Sequence, residues 1–488
     1  MGSIQEIETR LFINGKFVNS SDGKTFPLRS PTTREIVAEV HEASEQDTDA
    51  AVAAAKAAFP AWSALSPADR GAYMKKLAGL LHQSGKELSQ LEAISMGRPI
   101  GGYFDNHACA SAFEHYAEAG YDAQGASSLN TPGFVNMTFK QPYGVVAAII
   151  PWNVPLVFFA NKVAPAIAAG NTVVLKSSEK APLTSAKVAT LIEKVGFPPG
   201  VINVISGHGQ TSGAILSSHM DVRALSFTGS CRTGRLIQAA AAKSNLKNVI
   251  LELGGKSPAV IFEDSNIDNA VADTQNSIQW NSGQVCMANS RIYVQESIAD
   301  VFVEKFKAKF AAVSAGDPLD ENTNHGPQAD GAQYETVQRY IAAGKETGQL
   351  VLGGTQEVSG LSDAASKGYF VAPTVFLQTA EDAAVMKEEI FGPVVNINTF
   401  KTEAEAIAKA NDSEFGLYAA VYTKDINRAM RFAKALESGT VGVNCTSPSL
   451  ARDMPFGGYK SSGIGREGFG YTLNNFLETK TVLIKIEE

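Results

Sequence analysis

The feature that most constrains the fold is a change of texture at Tyr143, after which short apolar runs alternate with helix-length amphipathic stretches. The runs fall at residues 145–150, 172–175, 201–205, 224–227 and 249–253. Each is nearly continuous in apolar residues, as expected of strands buried on both faces of a helix-covered parallel sheet. Helical stretches after Pro155, Thr184, Thr211 and Thr233 separate them. The segment therefore predicts a βαβ series and an open doubly wound sheet, with ligands outside the carboxyl ends of its strands.

A second α/β series is predicted from Lys256 onward, with a helix near residues 300–312 and strands near Val375, Val394 and Ala419. Upstream, Asn14-Gly15 between apolar runs predicts a hairpin with a type I′ turn. Ser44 and Asp47 form a capping-box pattern before an alanine-rich helix, and helical patterns continue through Glu92 and again over residues 106–118. Residues 135–139 and 481–486 read as isolated strands whose exposed edges need partners, and residues 354–368 read as a surface loop.

At 488 residues the chain exceeds the ~100 to 200 residues of one compact core, so two or three substructures are expected. It is 44% hydrophobic and 19% charged, the balance of a soluble globular protein. A net charge of -8 without Lys or Arg runs argues against nucleic acid or an anionic membrane as partner. The 4 cysteines, Cys109, Cys231, Cys286 and Cys445, have no metal-ligand spacing and no disulfide pattern. A reducing, cytoplasmic compartment and no metal are expected. The first residues carry no basic region before an apolar stretch, and no run reaches the ~18 residues needed to span a bilayer, so neither export nor anchoring is expected.

The chemistry centres on Cys286, in Asn281-Ser282-Gly283-Gln284-Val285-Cys286. Free cysteines are usually buried structural thiols. Here the neighbours are poor core-helix residues, so a loop thiol stabilised as a thiolate and able to attack carbonyl carbon is expected. Glu252 ends an apolar run before Gly254-Gly255, where a carboxyl raised in pKa could deprotonate water. Asn153, in Pro151-Trp152-Asn153-Val154-Pro155, is either a helix cap or an amide donor to an oxyanion beside the Cys286 backbone N–H. Phe227-Thr228-Gly229-Ser230 follows a strand and opens a helix, which suits a pyrophosphate. Lys176 and Glu179 follow another strand, where an acid can hold an adenosine ribose or simply pair with the lysine. The P-loop-like tail Gly255-Lys256-Ser257 is discarded, because Ile250 stands where that loop needs glycine.

These segments, together with Glu389-Ile390-Phe391-Gly392-Pro393 and Pro455-Phe456-Gly457-Gly458, resemble the aldehyde dehydrogenase superfamily from about Phe12 to Val482. The resemblance implies a Rossmann-like cofactor domain at residues 1–123 and 143–254, an α/β catalytic domain at 255–450, and a small β oligomerisation arm at 124–142 and 471–488. It implies that Cys286 attacks the aldehyde, that Asn153 holds the oxyanion, and that Glu252 activates water against a thioacyl intermediate. Lys162 and Glu467 match a proton relay. Trp152, Lys176, Glu179, Gly229, Ser230, Gly234, Glu389 and Phe391 match cofactor contacts, and Glu179 should repel a 2′-phosphate, favouring NAD over NADP.

Val154, Phe158, Trp280, Met287 and Phe456 match the substrate tunnel. Val154 and Asn161 stand where aromatics are common, which implies a wider or more polar tunnel, while Trp280, Phe158 and Phe456 can supply apolar walls for an aromatic or medium-chain aldehyde. Arg452 could meet a carboxylate or solvent. A homodimer or homotetramer is implied, with the arm paired across subunits. The competing readings are a CoA-acylating semialdehyde dehydrogenase, which the presence of Glu252 disfavours, and a non-catalytic structural protein on the same fold.

Overall fold

The computed structural model describes residues 7–355, 358, 360–447, 451 and 453–487. Its centre is an 8-stranded sheet ordered Lys16–Val18, Leu11–Ile13, Ile202–Ile205, Thr172–Lys176, Val145–Ile149, Val222–Thr228, Asn248–Glu252 and Gly463–Ile464. The five strands from Ile202–Ile205 to Asn248–Glu252 run parallel, and the flanking strands are antiparallel. All five match apolar runs read from the sequence. Two apolar clusters, one on each face, bury this sheet under helices, so the doubly wound α/β class holds.

A 7-stranded sheet follows, ordered Gln349–Leu352, Thr374–Leu377, Val394–Phe400, Arg291–Gln295, Pro258–Ile261, Tyr418–Tyr422 and Thr440–Val443. It too is parallel except at the Gln349–Leu352 edge. Among the described residues, no helix is long and apolar enough to cross a membrane.

Local signals in the first hundred residues hold where they are strong. Asn14 and Gly15 both take positive φ, 53° and 74°, between the paired strands Leu11–Ile13 and Lys16–Val18. Ser44 caps helix Glu45–Ala64 in a full capping box with Asp47. Sequence reading missed the hairpin Thr25–Arg29 with Ile36–His41, because Pro27 interrupts the first strand.

The two strands read from the sequence as needing partners pair with each other: Phe134–Pro142 runs antiparallel to Leu477–Lys485 along its whole length, from Leu477 opposite Pro142 to Lys485 opposite Phe134. Helix Phe469–Asn475, whose Leu473 packs into the first core, brings the C-terminal strand alongside. The sheet formed with Ser127–Ser128 leaves Phe139, Leu483 and Ile484 exposed.

Candidate active site

In the first sheet the strand order reverses at Val145–Ile149, and a ligand crevice belongs at that reversal, outside the carboxyl ends. The segments that follow these strands meet there in a cleft of about 210 Å³. Trp152 and Asn153 come from the end of Val145–Ile149, Gly229 and Ser230 from the end of Val222–Thr228, and Glu252 from the end of Asn248–Glu252. Phe158, from helix Pro155–Ala168, forms an apolar wall. Cys286 and Glu389 close the cleft from the second sheet's side. Ser230 caps helix Cys231–Lys243, its Oγ accepting from Thr233 N at 3.3 Å, so the helix's positive end opens beside the cleft.

Cys286 follows a tight turn, Trp280–Gly283, that ends helix Ile267–Gln279. Asn281, Ser282 and Gly283 take consecutive left-handed φ values of 49°, 53° and 76°. For the two residues bearing a Cβ this costs roughly 1 to 2 kcal/mol each, so the surroundings must hold the turn. Ser282 Oγ donates to Gly326 O at 2.7 Å, and Gln284 accepts from Ala329 N at 2.9 Å. Asn281 Nδ2 donates to Asn153 O at 3.0 Å, while Asn153 Nδ2 donates to Gln284 O at 3.0 Å. The asparagine and the nucleophile turn are thereby fastened to each other, one amide N–H of Asn153 remaining for other use.

The sequence expectation of a stabilised thiolate is reversed. Burial and the neighbouring Glu252 carboxyl push the Cys286 thiol well above its ordinary value. Helix N-termini and cations lower a thiol, but the group facing this one is an acid.

Glu252 is 2% exposed, and neither carboxyl oxygen has a hydrogen-bond partner among the described residues. Burial and then Glu467 push it up to about 8, against the pull of Lys162. A buried carboxyl left unsatisfied is costly, and such exceptions need a reason. Lys162, fully buried, donates to Glu467 Oε1 at 2.8 Å and to Ser226 Oγ at 3.0 Å, so the relay residues named from sequence meet beside Glu252.

Of the predicted cofactor contacts, Trp152, Gly229, Ser230, Glu389 and Phe391 line the cleft. Trp152 and Phe391 meet edge to face at 5.4 Å. Glu389 Oε1 accepts from Gly255 N at 3.0 Å, and burial raises its carboxyl to about 7. A Cβ on Gly254 would fall 2.2 Å from Glu389 Oε2, so only glycine lets that carboxyl lie against the backbone. Lys176 and Glu179 lie outside the cleft, and Lys176 Nζ donates to Ser177 O at 2.9 Å.

Gly234 does not line the cleft: its N–H is given to Ser230 O at 2.9 Å, and a Cβ there would meet Leu253 at 2.8 Å, so glycine lets the helix pack closely on the segment after Glu252. Among the predicted tunnel residues only Phe158 lines the cleft. Trp280, Met287 and Phe456 pack on one shared apolar cluster, and Val154 packs on the first core. Arg452 lies outside the described residues.

Sequence reading missed the edge strand beside the base. Gly463–Ile464 pairs antiparallel with Leu251 and Glu252, Ser462 O accepts from Leu253 N at 2.9 Å, and Ser462 Oγ donates to Gly254 O at 2.7 Å. Gln333 and Thr336, on helix Gly331–Thr347, also line the cleft. Nothing local distinguishes these polar residues from solvated ones.

The chain matches the Aldehyde dehydrogenase family over residues 17–482. It belongs to that family. It is 47% identical to an aldehyde dehydrogenase of Davidiella tassiana over 99% of this chain and 96% of that protein. It is 42% identical to retinal dehydrogenase 2 of Homo sapiens over 98% of this chain and 92% of that protein. Among solved structures, it superposes on the indole-3-acetaldehyde dehydrogenase of P. syringae, in complex with NAD+ and IAA, with a TM-score of 0.95 and 39% identity. That superposition covers 99% of this chain and 97% of the other.

Proposed function

We propose that this chain oxidises an aldehyde to its carboxylic acid with NAD, through a thioacyl intermediate on Cys286. The observation that carries the reading is the meeting, in one cleft, of the Cys286 thiol with a buried Glu252 whose oxygens are unengaged. The NAD complex of the indole-3-acetaldehyde dehydrogenase supports the cofactor, as does the fit of the cleft. Gly229 and Ser230 at the helix end would hold the pyrophosphate, Glu389 and Phe391 the nicotinamide ribose, and Lys176 with Glu179 the adenosine ribose. NAD, when bound, supplies the acceptor for the hydride that leaves the aldehyde carbon.

Cys286 holds its proton, and Glu252 in its ionised form is the base facing it, so the thiol proton passes to Glu252 as sulfur bonds to the carbonyl carbon. The oxygen's negative charge falls to the free Asn153 N–H and the Cys286 backbone N–H. Loss of hydride re-forms the carbonyl as a thioester. Once Glu252 has given up the thiol proton through Glu467 and Lys162, it takes a proton from water, whose oxygen adds to the thioester carbon; the carbon–sulfur bond then breaks, freeing the acid, and Glu252 returns that proton to the Cys286 thiolate. Lys162 and Glu467 stand ready to carry protons away from Glu252.

The apolar wall at Phe158, with Trp280, Met287, Phe456 and Val154 beyond the cleft, suits an aromatic or medium-chain aldehyde. The names of the indole-3-acetaldehyde and retinal dehydrogenases support that choice. The exposed Phe139, Leu483 and Ile484 of the arm favour a homodimer or homotetramer, and the cysteine usage favours the reducing cytoplasm. NADH absorbance across an aldehyde panel, with NAD and NADP compared, tests the reading. The expected result is NADH and free acid without CoA, with higher kcat/KM for NAD; absence of NADH on every aldehyde would overturn it.

A further inference from the structure

Outside the cleft, a buried ionic cluster grips the nucleophile turn. Arg98 follows helix Gly85–Met96 and is 4% exposed. Its guanidinium is bidentate to Asp105, Nη2 donating to Oδ1 at 2.8 Å and Nη1 to Oδ2, and Nη1 also reaches Glu92 Oε2 at 3.2 Å. Tyr103 donates its hydroxyl to Glu92 Oε1 at 3.1 Å. Burial is the largest influence on Arg98 and opposes its charge, but Asp105 and Glu92 together outweigh it and hold the guanidinium protonated. This cation lies 4.6 Å from the centroid of the Trp280 ring, the first residue of the turn. A desolvated guanidinium on an indole face is the strong setting for a cation–π contact.

The preceding residue makes a second contact. A Cβ on Gly326 would fall 2.1 Å from Gly97 O, and one on Gly97 would fall 2.5 Å from Pro327 Cγ, so the two backbones touch. The carbonyl of Gly326 holds Ser282, and the carbonyl of Pro327 accepts from Gln284 Nε2 at 3.3 Å. Gly97 and Arg98 therefore bear on both the start and the brace of the strained turn. None of Arg98, Glu92, Asp105 or Trp280 lines the cleft.

We propose that Arg98 is a positioning residue for the nucleophile: anchored by Asp105 and stacked on Trp280, it holds the left-handed turn that sets Cys286 against Glu252 and Asn153. The proposal rests on Cys286 being the nucleophile. It requires that the turn relax when the stack is lost, although Trp280 keeps its packing on the apolar cluster that contains Ile278 and Val285.

The test uses Trp280→Leu, which removes the ring and leaves the Arg98–Asp105 pair, Trp280→Phe, which keeps an aromatic face, and Arg98→Met. Steady-state kinetics with a small aldehyde are read beside the pH profile of Cys286 alkylation by iodoacetamide. Trp280→Leu is expected to lower kcat by about tenfold to a hundredfold, with the KM for NAD within about twofold. Its alkylation midpoint moves down toward an ordinary thiol, because the sulfur no longer faces Glu252. Trp280→Phe restores most of both, and combining Arg98→Met with Trp280→Leu adds little further loss.

A folded Trp280→Leu protein with the parent's kcat and alkylation profile would overturn the proposal, as would full additivity in the double variant. Should Arg98→Met fail to fold, the Trp280 pair decides alone. Alkylation needs neither aldehyde nor NAD. A parent that oxidises no aldehyde therefore sinks the functional reading while the turn stays measurable.

Discussion

Glu252 and Glu92 are two fully buried carboxyls, each pushed up by burial, and they differ in what their oxygens do. Glu92 takes Arg98 on one oxygen and Tyr103 on the other. Glu252 takes nothing among the described residues and faces a cleft. Burial alone therefore does not mark a functional acid. The saturated carboxyl stiffens the frame, while the unsatisfied one stores an electrostatic cost that a water molecule or a thiol proton can relieve.

The comparison breaks first at the sulfur. Cys286→Ala is expected to lower kcat by roughly 1000-fold or more, measured as NADH formation, because no other thiol lines the cleft among the described residues. Glu252→Gln should keep one burst of NADH per site and then lower steady turnover by about 100-fold or more, seen in stopped-flow absorbance. Turnover at the parent rate would place Glu252 with Glu92, as a structural acid.

Turnover of the parent should climb as pH rises through about 8, where Glu252 becomes the base. Stability carries the opposite sign. A carboxyl whose folded pKa lies above its unfolded value stabilises fully below the unfolded value, and that contribution is lost as pH rises through the folded pKa. Glu252→Gln should therefore flatten the fall of Tm between pH 4.5 and about 8, read by calorimetry.

Replacing Glu467 by Gln should lower turnover by about tenfold and shift that pH profile downward, since a like charge near Glu252 is gone. The smallest effect belongs to Glu92→Gln, which copies a protonated carboxyl: Tm should fall by about 2 to 4 °C for roughly 1 kcal/mol, with no NADH burst appearing. A burst there would mean that Glu92 acts in the chemistry after all.

The parallel strands were legible because burial on both faces forces continuous apolar runs, as at residues 145–150 and 249–253. Asn14-Gly15 and the Ser44 capping box were legible because their signals are local. Thr25–Arg29 was not, since Pro27 is tolerated at a sheet edge that only the folded chain supplies. At the site, Cys286, Glu252 and Asn153 stood out by their sequence neighbours. Ser462, Gln333 and Thr336 did not, because their places depend on contacts with chain segments far away in sequence.

The sequence by itself determined the fold class, the order of the site segments and Cys286, Glu252 and Asn153 as the candidates at their centre. Each follows from strand periodicity and from what short segments do at strand ends. Only the tertiary structure decided the electrostatics. It set a protonated Cys286 against a raised Glu252, packed Gly234 against Leu253, joined the arm's strands to each other, and laid Arg98 on Trp280. A pKa or a stack depends on what surrounds a group in space, and sequence spacing carries no record of that surrounding.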